Sequence, residues 1–141
     1  MTQRLPQVMH THVGYLLVRL GKRAQRAFES SLVPLGLRPP HFDVLAVLAE
    51  QGRLSQKEVA EVLGVDSARV VALADELGAL GAVERAPDPA DRRRNLLVIT
   101  DSGHDLFERA RSLADGVQAE LTANLGETEV ADVRAALQRL L

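Results

Sequence analysis

No stretch of this chain constrains its fold more than Leu54-Ser55-Gln56-Lys57-Glu58, with Gly64 and Asp66 downstream. Ser55 is placed to accept the amide hydrogen of Glu58, while the Glu58 carboxylate reaches back to the Ser55 N–H. That reciprocal capping box opens a helix. Leu54 and Val59 flank the cap at the spacing of a hydrophobic staple. The helix is short, because Gly64 enters the left-handed conformation of a helix terminus without steric cost. A single residue, Val65, then separates it from Asp66, a good N-cap for a second helix that runs to about Leu80 and is closed by Gly81. Two short helices joined by a glycine turn make a helix-turn-helix.

The periodicity changes directly afterwards. Ala82-Val83-Glu84-Arg85 and Leu96-Leu97-Val98-Ile99 are short and rich in apolar or β-branched residues, as strands are. The ten-residue stretch 86–95 between them holds Pro87, Pro89 and three consecutive arginines, Arg92, Arg93 and Arg94, and reads as the loop of a β-hairpin. A hairpin behind a helix-turn-helix makes a winged helix. In such a unit the second helix enters the major groove of DNA with its N-terminal residues against base edges. A basic wing tip suits the adjacent minor groove, where negative potential is concentrated.

Upstream, Val13, Leu16, Leu17, Leu20, Ala24, Ala27 and Phe28 recur at helical spacing and predict a first helix over 10–33, stopped by Pro34 and Gly36. Pro39 and Pro40 begin a second helix that ends at Gln51-Gly52. Downstream, Thr100 caps a long helix with Leu106, Ala110, Leu113, Val117 and Leu121 inward. Gly126 breaks it, and Val130, Val133, Leu137 and Leu140 stripe a last short helix. The first and the last two of these helices show no full-length partner within the chain. Their stripes predict burial against a second copy, in a two-fold homodimer. The expected architecture is mainly α with a small β wing. It is one domain over 1–141, with a winged helix-turn-helix unit at 37–100 and dimerisation helices at 1–36 and 101–141.

Composition narrows the function classes. Net charge is −2, with 17 basic and 19 acidic side chains among 141 residues, which at first sight argues against a nucleic-acid partner. The distribution says otherwise. Residues 1–35 set Arg4, Arg19, Lys22, Arg23 and Arg26 against Glu29 alone, and the wing loop holds its arginines, whereas 36–81 and 101–141 carry the acidic excess. There is no Cys, hence no disulfide, thiolate nucleophile or Cys-ligated metal. Val44 to Ala49 is the longest apolar run, against the roughly 20 residues of a membrane span. No signal peptide is read, so a cytoplasmic location without membrane association is expected. No phosphate-cradling glycine loop, His-Glu-x-x-His pair or nucleophile elbow is present, so neither an enzyme nor a cofactor is expected. His10 and His12 lie two apart, which does not put them on one helix face, so no metal site is expected there either.

The segment LGVDSARVVALADELGALGAVERAPDPADRRRNLLVITDSG resembles the MarR family of winged-helix regulators. The likeness is strongest at Asp91-Arg92-Arg93, followed by Thr100 seven residues after Arg93 and then by Gly103. It extends back through the capping box to Leu37-Arg38-Pro39-Pro40-His41-Phe42-Asp43-Val44-Leu45 and covers nearly the whole chain. The resemblance implies a homodimer that represses transcription on a pseudopalindromic operator and is released by a small, often aromatic or phenolic, anion. It implies that Arg93 enters the minor groove, that Asp91 holds Arg93 by an ion pair, and that Arg69 meets a base or phosphate. Many relatives carry Thr-Arg in mid recognition helix where this chain has Val71-Ala72. Much of the affinity is therefore expected from the wing.

The candidate DNA-contacting residues are thus Ser67, Ala68, Arg69, Ala72, Arg92, Arg93 and Arg94, with Asp91 positioning the wing. Plainer readings stand beside these. Arg69 can pair with Asp66, three residues away. Asp91 can serve the turn alone, and the arginine run can be a solvated loop. For the effector, Tyr15 and Arg19 lie four apart on one helix face, and a guanidinium beside an aromatic ring suits a carboxylate on a ring. His12 and His41 are further candidates. The alternative puts Tyr15 in a dimer core and Arg19 on the surface. The competing functional reading is a degenerate winged helix used for protein contacts, motivated by the net −3 of residues 36–81 and by an apolar, acidic recognition helix that carries Asp75 and Glu76 behind Asp66.

Overall fold

Local signals set most element boundaries, and tertiary pairing sets the rest. A computed structural model describes residues 4–141; the first three residues of the segment read as 1–36 lie outside the described residues. In chain order the elements are α1 (Gln7–Thr11), α2 (Val13–Leu32), a 3-10 turn (Val33–Leu35), α3 (Pro39–Gln51), β1 (Leu54–Ser55), α4 (Gln56–Leu63), α5 (Ser67–Ala79), β2 (Val83–Pro87), β3 (Asn95–Ile99), α6 (Asp101–Leu121) and α7 (Glu127–Gln138). The mainly α class with a small antiparallel sheet is as expected.

Three boundaries differ from expectation. The single helix read over 10–33 is two, because His12 is extended (φ −88°, ψ 113°) between α1 and α2. The hairpin strands are longer, pairing Val83 with Ile99 through to Pro87 with Asn95, so the wing loop shrinks to 88–94. Leu54-Ser55 is also more than a cap. It forms a two-residue strand against Leu97 and Leu96, giving a three-stranded sheet in the order β1-β3-β2. An N-cap residue has extended dihedrals already, so it can join a sheet edge once a neighbouring strand arrives there.

Leu45 and Leu48 of α3, Val59 of α4, Val70 and Leu77 of α5 and Leu97 of β3 are fully buried and form the centre of the winged helix. A second cluster joins three helices. Phe28 of α2 meets Phe42 of α3 edge-on with centroids 5.2 Å apart, and Phe42 stacks on Phe107 of α6 at 5.5 Å. Such oriented pairs contribute about 0.5–1.5 kcal/mol beyond area burial. The first half of α6 thus packs on α2 and α3, with Phe107 and Ala110 buried, and beyond Ala110 it buries no residue. Likewise α7 buries no residue, and Val133, Leu137 and Leu140 remain exposed together with Val13, Leu16, Leu17 and Leu20 of α2.

The start of α6 is bolted to the end of the helix-turn-helix. The Thr100 hydroxyl accepts the Gly103 N–H (3.0 Å) and donates to the Gly81 carbonyl (2.6 Å), which also accepts from Ser102 Oγ (2.9 Å). These bonds fix where the wing leaves the body and where the outer helix begins. No single helix among the described residues is long and apolar enough to cross a membrane.

Candidate nucleic-acid interface

The helix-turn-helix forms by the bonds its sequence specifies. Ser55 Oγ accepts the Glu58 N–H at 3.2 Å, and the Ser55 N–H donates to Glu58 Oε2 at 2.8 Å. Gly64 is left-handed (φ 66°), and the Val65 N–H returns to the Ala60 carbonyl at 3.0 Å. Asp66 Oδ1 then accepts the Arg69 N–H at 3.0 Å and opens α5. Because α5 buries Val70, Leu73, Ala74 and Leu77, its opposite arc carries Ser67, Ala68, Arg69, Val71, Ala72, Asp75 and Glu76 to the surface. The four α5 residues read as DNA-contacting all lie on this arc. Asp66 engages Arg69 through the backbone N–H, and no Arg69–Asp66 ion pair lies within 4.0 Å.

The acids of α5 and its cap are spoken for. Asp75 pairs with Arg85 of β2 at 2.7 Å, and Arg85 also donates to Gln56 Oε1 of α4 (2.9 and 3.2 Å). Glu76 accepts from the Arg38 guanidinium at 2.9 Å and bonds His41 Nε2, which hold its carboxyl below the usual range, the histidine bond acting most strongly. Asp66 is the cap of α5. Partial burial raises the carboxyl of Asp43 on α3, and the nearby charge of Arg69 acts against that rise. The acids of α5 are thus engaged by other elements, Asp75 by β2 and Glu76 by α3, whereas Asp43, Glu50 and Glu61 have no ion-pair partner within 4.0 Å among the described residues.

The wing loop is a built turn. The Asp88 N–H donates to the Arg94 carbonyl across its neck (2.8 Å), Asp88 Oδ1 accepts the Ala90 N–H (2.9 Å), and Asp91 Oδ1 accepts the Arg93 N–H (3.0 Å). Side chains bonding their own loop backbone are what make Asp a turn former. Asp91 therefore shapes the tip through the backbone, and the Asp91–Arg93 ion pair implied by the resemblance is absent within 4.0 Å. The three arginines divide. Arg94 turns inward to Glu58 (2.6 Å) and Ser55 Oγ (3.0 Å), with Asp88 at 3.9 Å. The Arg94 bond, with the bonds from Ser55, pulls the Glu58 carboxyl down to about 2. Arg92 and Arg93 stand exposed on the tip with no carboxylate within 4.0 Å among the described residues.

Of the effector candidates, Tyr15 and Arg19 come together. Both line an open groove of about 670 Å³ along the outer face of α2, with Lys22, Arg23 and Arg26 beside them. His12, exposed at the α1–α2 break, is not in that lining. His41 is elsewhere, buried between α3 and α5 with both ring nitrogens engaged, Nδ1 accepting the Arg38 N–H at 2.9 Å. Arg38, Glu76, Asp75, Arg85 and Gln56 hold the site together and were not singled out as positioning residues from sequence. Their partners lie from 10 to 38 residues away, beyond any local pattern.

Comparison with known proteins agrees with this geometry. Residues 35–94 match the family model described as MarR family. The chain is 30% identical over 130 residues to the multiple antibiotic resistance protein MarR of Escherichia coli (strain K12), covering 92% of this chain and 90% of that one. CouR from Rhodococcus jostii RHA1, solved bound to p-coumaroyl-CoA, matches with a TM-score of 0.81 at 34% identity over 96% of this chain and 95% of that chain. A mutant E. coli MarR complexed with operator DNA matches with a TM-score of 0.80 at 28% identity over 97% and 99%. Capped helix-turn-helix, arginine wing and overall likeness agree, and the chain belongs to the MarR family of winged-helix transcriptional regulators.

Proposed function

We propose that this protein is a homodimeric repressor that binds a pseudopalindromic operator and releases it on binding a small anionic, aromatic effector. The observation that carries the DNA-binding reading is the asymmetry of pairing. Each carboxylate of α5 and its cap is engaged within the molecule, whereas Arg69, Arg92 and Arg93 have no carboxylate within 4.0 Å among the described residues. A surface of that kind offers cations to phosphates while the acids of α5 and its cap are held in bonds of their own. Ser67, Ala68, Arg69 and Ala72 face the major groove, and Arg92 and Arg93 the minor groove. Arg94 and Asp91 set the pose of the wing. In a two-fold dimer the paired α5 helices would stand about 34–36 Å apart, one turn of DNA. The operator complex of the E. coli relative supports this reading. The protein-interaction alternative is weakened at the recognition helix, whose acids are engaged within the molecule.

For the effector, Arg19 supplies a bidentate partner for a carboxylate or phosphate and Tyr15 an aromatic face. The p-coumaroyl-CoA complex of CouR supports an aromatic anion of this kind. The protein acts by binding and not by catalysis.

Fluorescence anisotropy with the DNA upstream of its own gene tests the reading. Affinity is expected to fall linearly with the logarithm of salt concentration. Arg93→Ala should weaken binding on all sequences and reduce the salt slope by about one unit. A folded protein that binds no DNA at low salt overturns the proposal.

A further inference from the structure

His41 is the buried histidine of the molecule, 4% exposed, while His10, His12 and His104 are on the surface. Its ring bridges two elements. Nδ1 accepts the N–H of Arg38, the cap residue of α3, so the ring proton sits on Nε2 and points at the Glu76 carboxylate of α5. The Arg38 guanidinium reaches the same Glu76 oxygen at 2.9 Å. One carboxylate on the recognition helix is thus held by two donors from a single turn of α3. Glu76 lies four residues after Ala72 and seven after Arg69, on the same exposed arc.

Apolar packing alone does not fix the pose of α5. Val70, Leu73 and Leu77 set how deeply the helix sits, but hydrophobic attraction is non-directional and tolerates small rotations. Hydrogen bonds weaken steeply off their preferred angle. On one side of α5 the directional restraint is Asp75 with Arg85 of the wing strand, and on the other it is Glu76 with Arg38 and His41. Of these side chains only His41 is buried, so its ring has the least freedom to reorient.

We infer that His41 is a positioning residue for DNA recognition: through Glu76 it fixes the rotation and tilt at which α5 presents Ser67, Ala68, Arg69 and Ala72 to base edges. The inference rests on the DNA-binding reading above and deepens it. Its effect falls on discrimination between sequences and leaves the count of phosphate contacts unchanged, since phosphates position and base edges specify.

The chemistry also names the replacement that should work. The Gln side chain places an N–H donor three bonds from Cβ, as the imidazole does with Nε2, so His41→Gln keeps the bond to Glu76 that the inference turns on, and His41→Ala does not. The experiment selects a duplex from a random pool with the full-length wild-type protein. It then measures affinity and salt slope on that duplex and on a scrambled one for wild type, His41→Ala, His41→Gln and Glu76→Ala. Glu76 is half-exposed, so its truncation carries the test if His41→Ala fails to fold. His41→Ala and Glu76→Ala are each expected to lower the ratio of selected to scrambled affinity about tenfold, in line with the loss of a charged hydrogen bond. The slope on scrambled DNA should stay unchanged, and His41→Gln should restore the ratio. Folded variants that discriminate as well as wild type, or a His41→Gln that behaves as the alanine variant, overturn the inference and leave the DNA-binding reading standing. A wild type that binds neither duplex overturns that reading and this inference with it.

Discussion

A single backbone oxygen decides which residue stands at position 103. A Cβ there would sit 2.0 Å from the Ala82 carbonyl oxygen and 2.8 Å from Ile99 Cγ1, so only glycine lets α6 lie against the end of the helix-turn-helix. The resemblance singled out Thr100 and Gly103, and the structure supplies the reason. Thr100 ties the helix start to Gly81, and Gly103 makes room for the approach that the tie imposes. Gly103→Ala is expected to destabilise the fold by about 1–3 kcal/mol, the usual range for overpacking. Urea denaturation reads it. The sign is informative, because alanine in an unobstructed helix interior would stabilise by roughly 0.5–1 kcal/mol relative to glycine. A stabilised variant would mean that the Gly81-Ala82 turn yields freely.

The capping box of α4 serves two elements at once. Ser55 and Glu58 satisfy the helix start, and the same two side chains hold Arg94 and through it the wing. The Glu58 carboxyl is depressed from 4.5 to about 2 by Arg94 and by Ser55. A depressed carboxyl stabilises the folded state above its unfolded pKa and loses that contribution as pH falls through the folded one. Wing docking through this pair is therefore expected to persist above pH 4.5 and to be lost between there and about pH 2. Acid unfolding of wild type and Glu58→Gln, followed in parallel, checks it. The two curves should differ near neutrality and converge toward pH 2, and a difference that grows as pH falls would contradict the assignment. The recognition helix is likewise tied to two elements, to β2 through Asp75 and to the start of α3 through Glu76.

Across the whole molecule the winged helix is closed and the ends are open. Winged-helix residues fill the centre of the core, while the N-terminal half of α2 leaves Val13, Leu16 and Leu20 uncovered and α7 with the residues after it leaves Val133, Leu137 and Leu140 uncovered. Exposed apolar stripes at both ends of one chain are the surface a two-fold partner would bury. Leu16→Asp and Leu137→Asp together should leave the winged helix folded by circular dichroism and give a monomer in sedimentation velocity. Losing the second half-site contact would then weaken operator binding by about 10²–10⁴-fold. A double variant that still sediments as a dimer would place the interface elsewhere.

What was legible in the sequence is what lies within four residues of itself. The capping box, the left-handed Gly64, the Asp66 cap and the switch from helical to strand periodicity are local, so the helix-turn-helix and its wing follow from residue order alone. The family resemblance rests on the same local motifs. Tertiary structure decided everything that needed a distant neighbour. Leu54-Ser55 became a strand only because β3 arrived beside it, α6 found α2 and α3 through Phe28, Phe42 and Phe107, and the wing arginines divided because Glu58 lay under one of them. The same holds for His41, whose ring reads in sequence as a ligand candidate and in the fold as a bond to Glu76. The physical reason is that charge and hydrogen-bonding capacity are written in the residue, but the partner that satisfies them is set by which elements the core packs together.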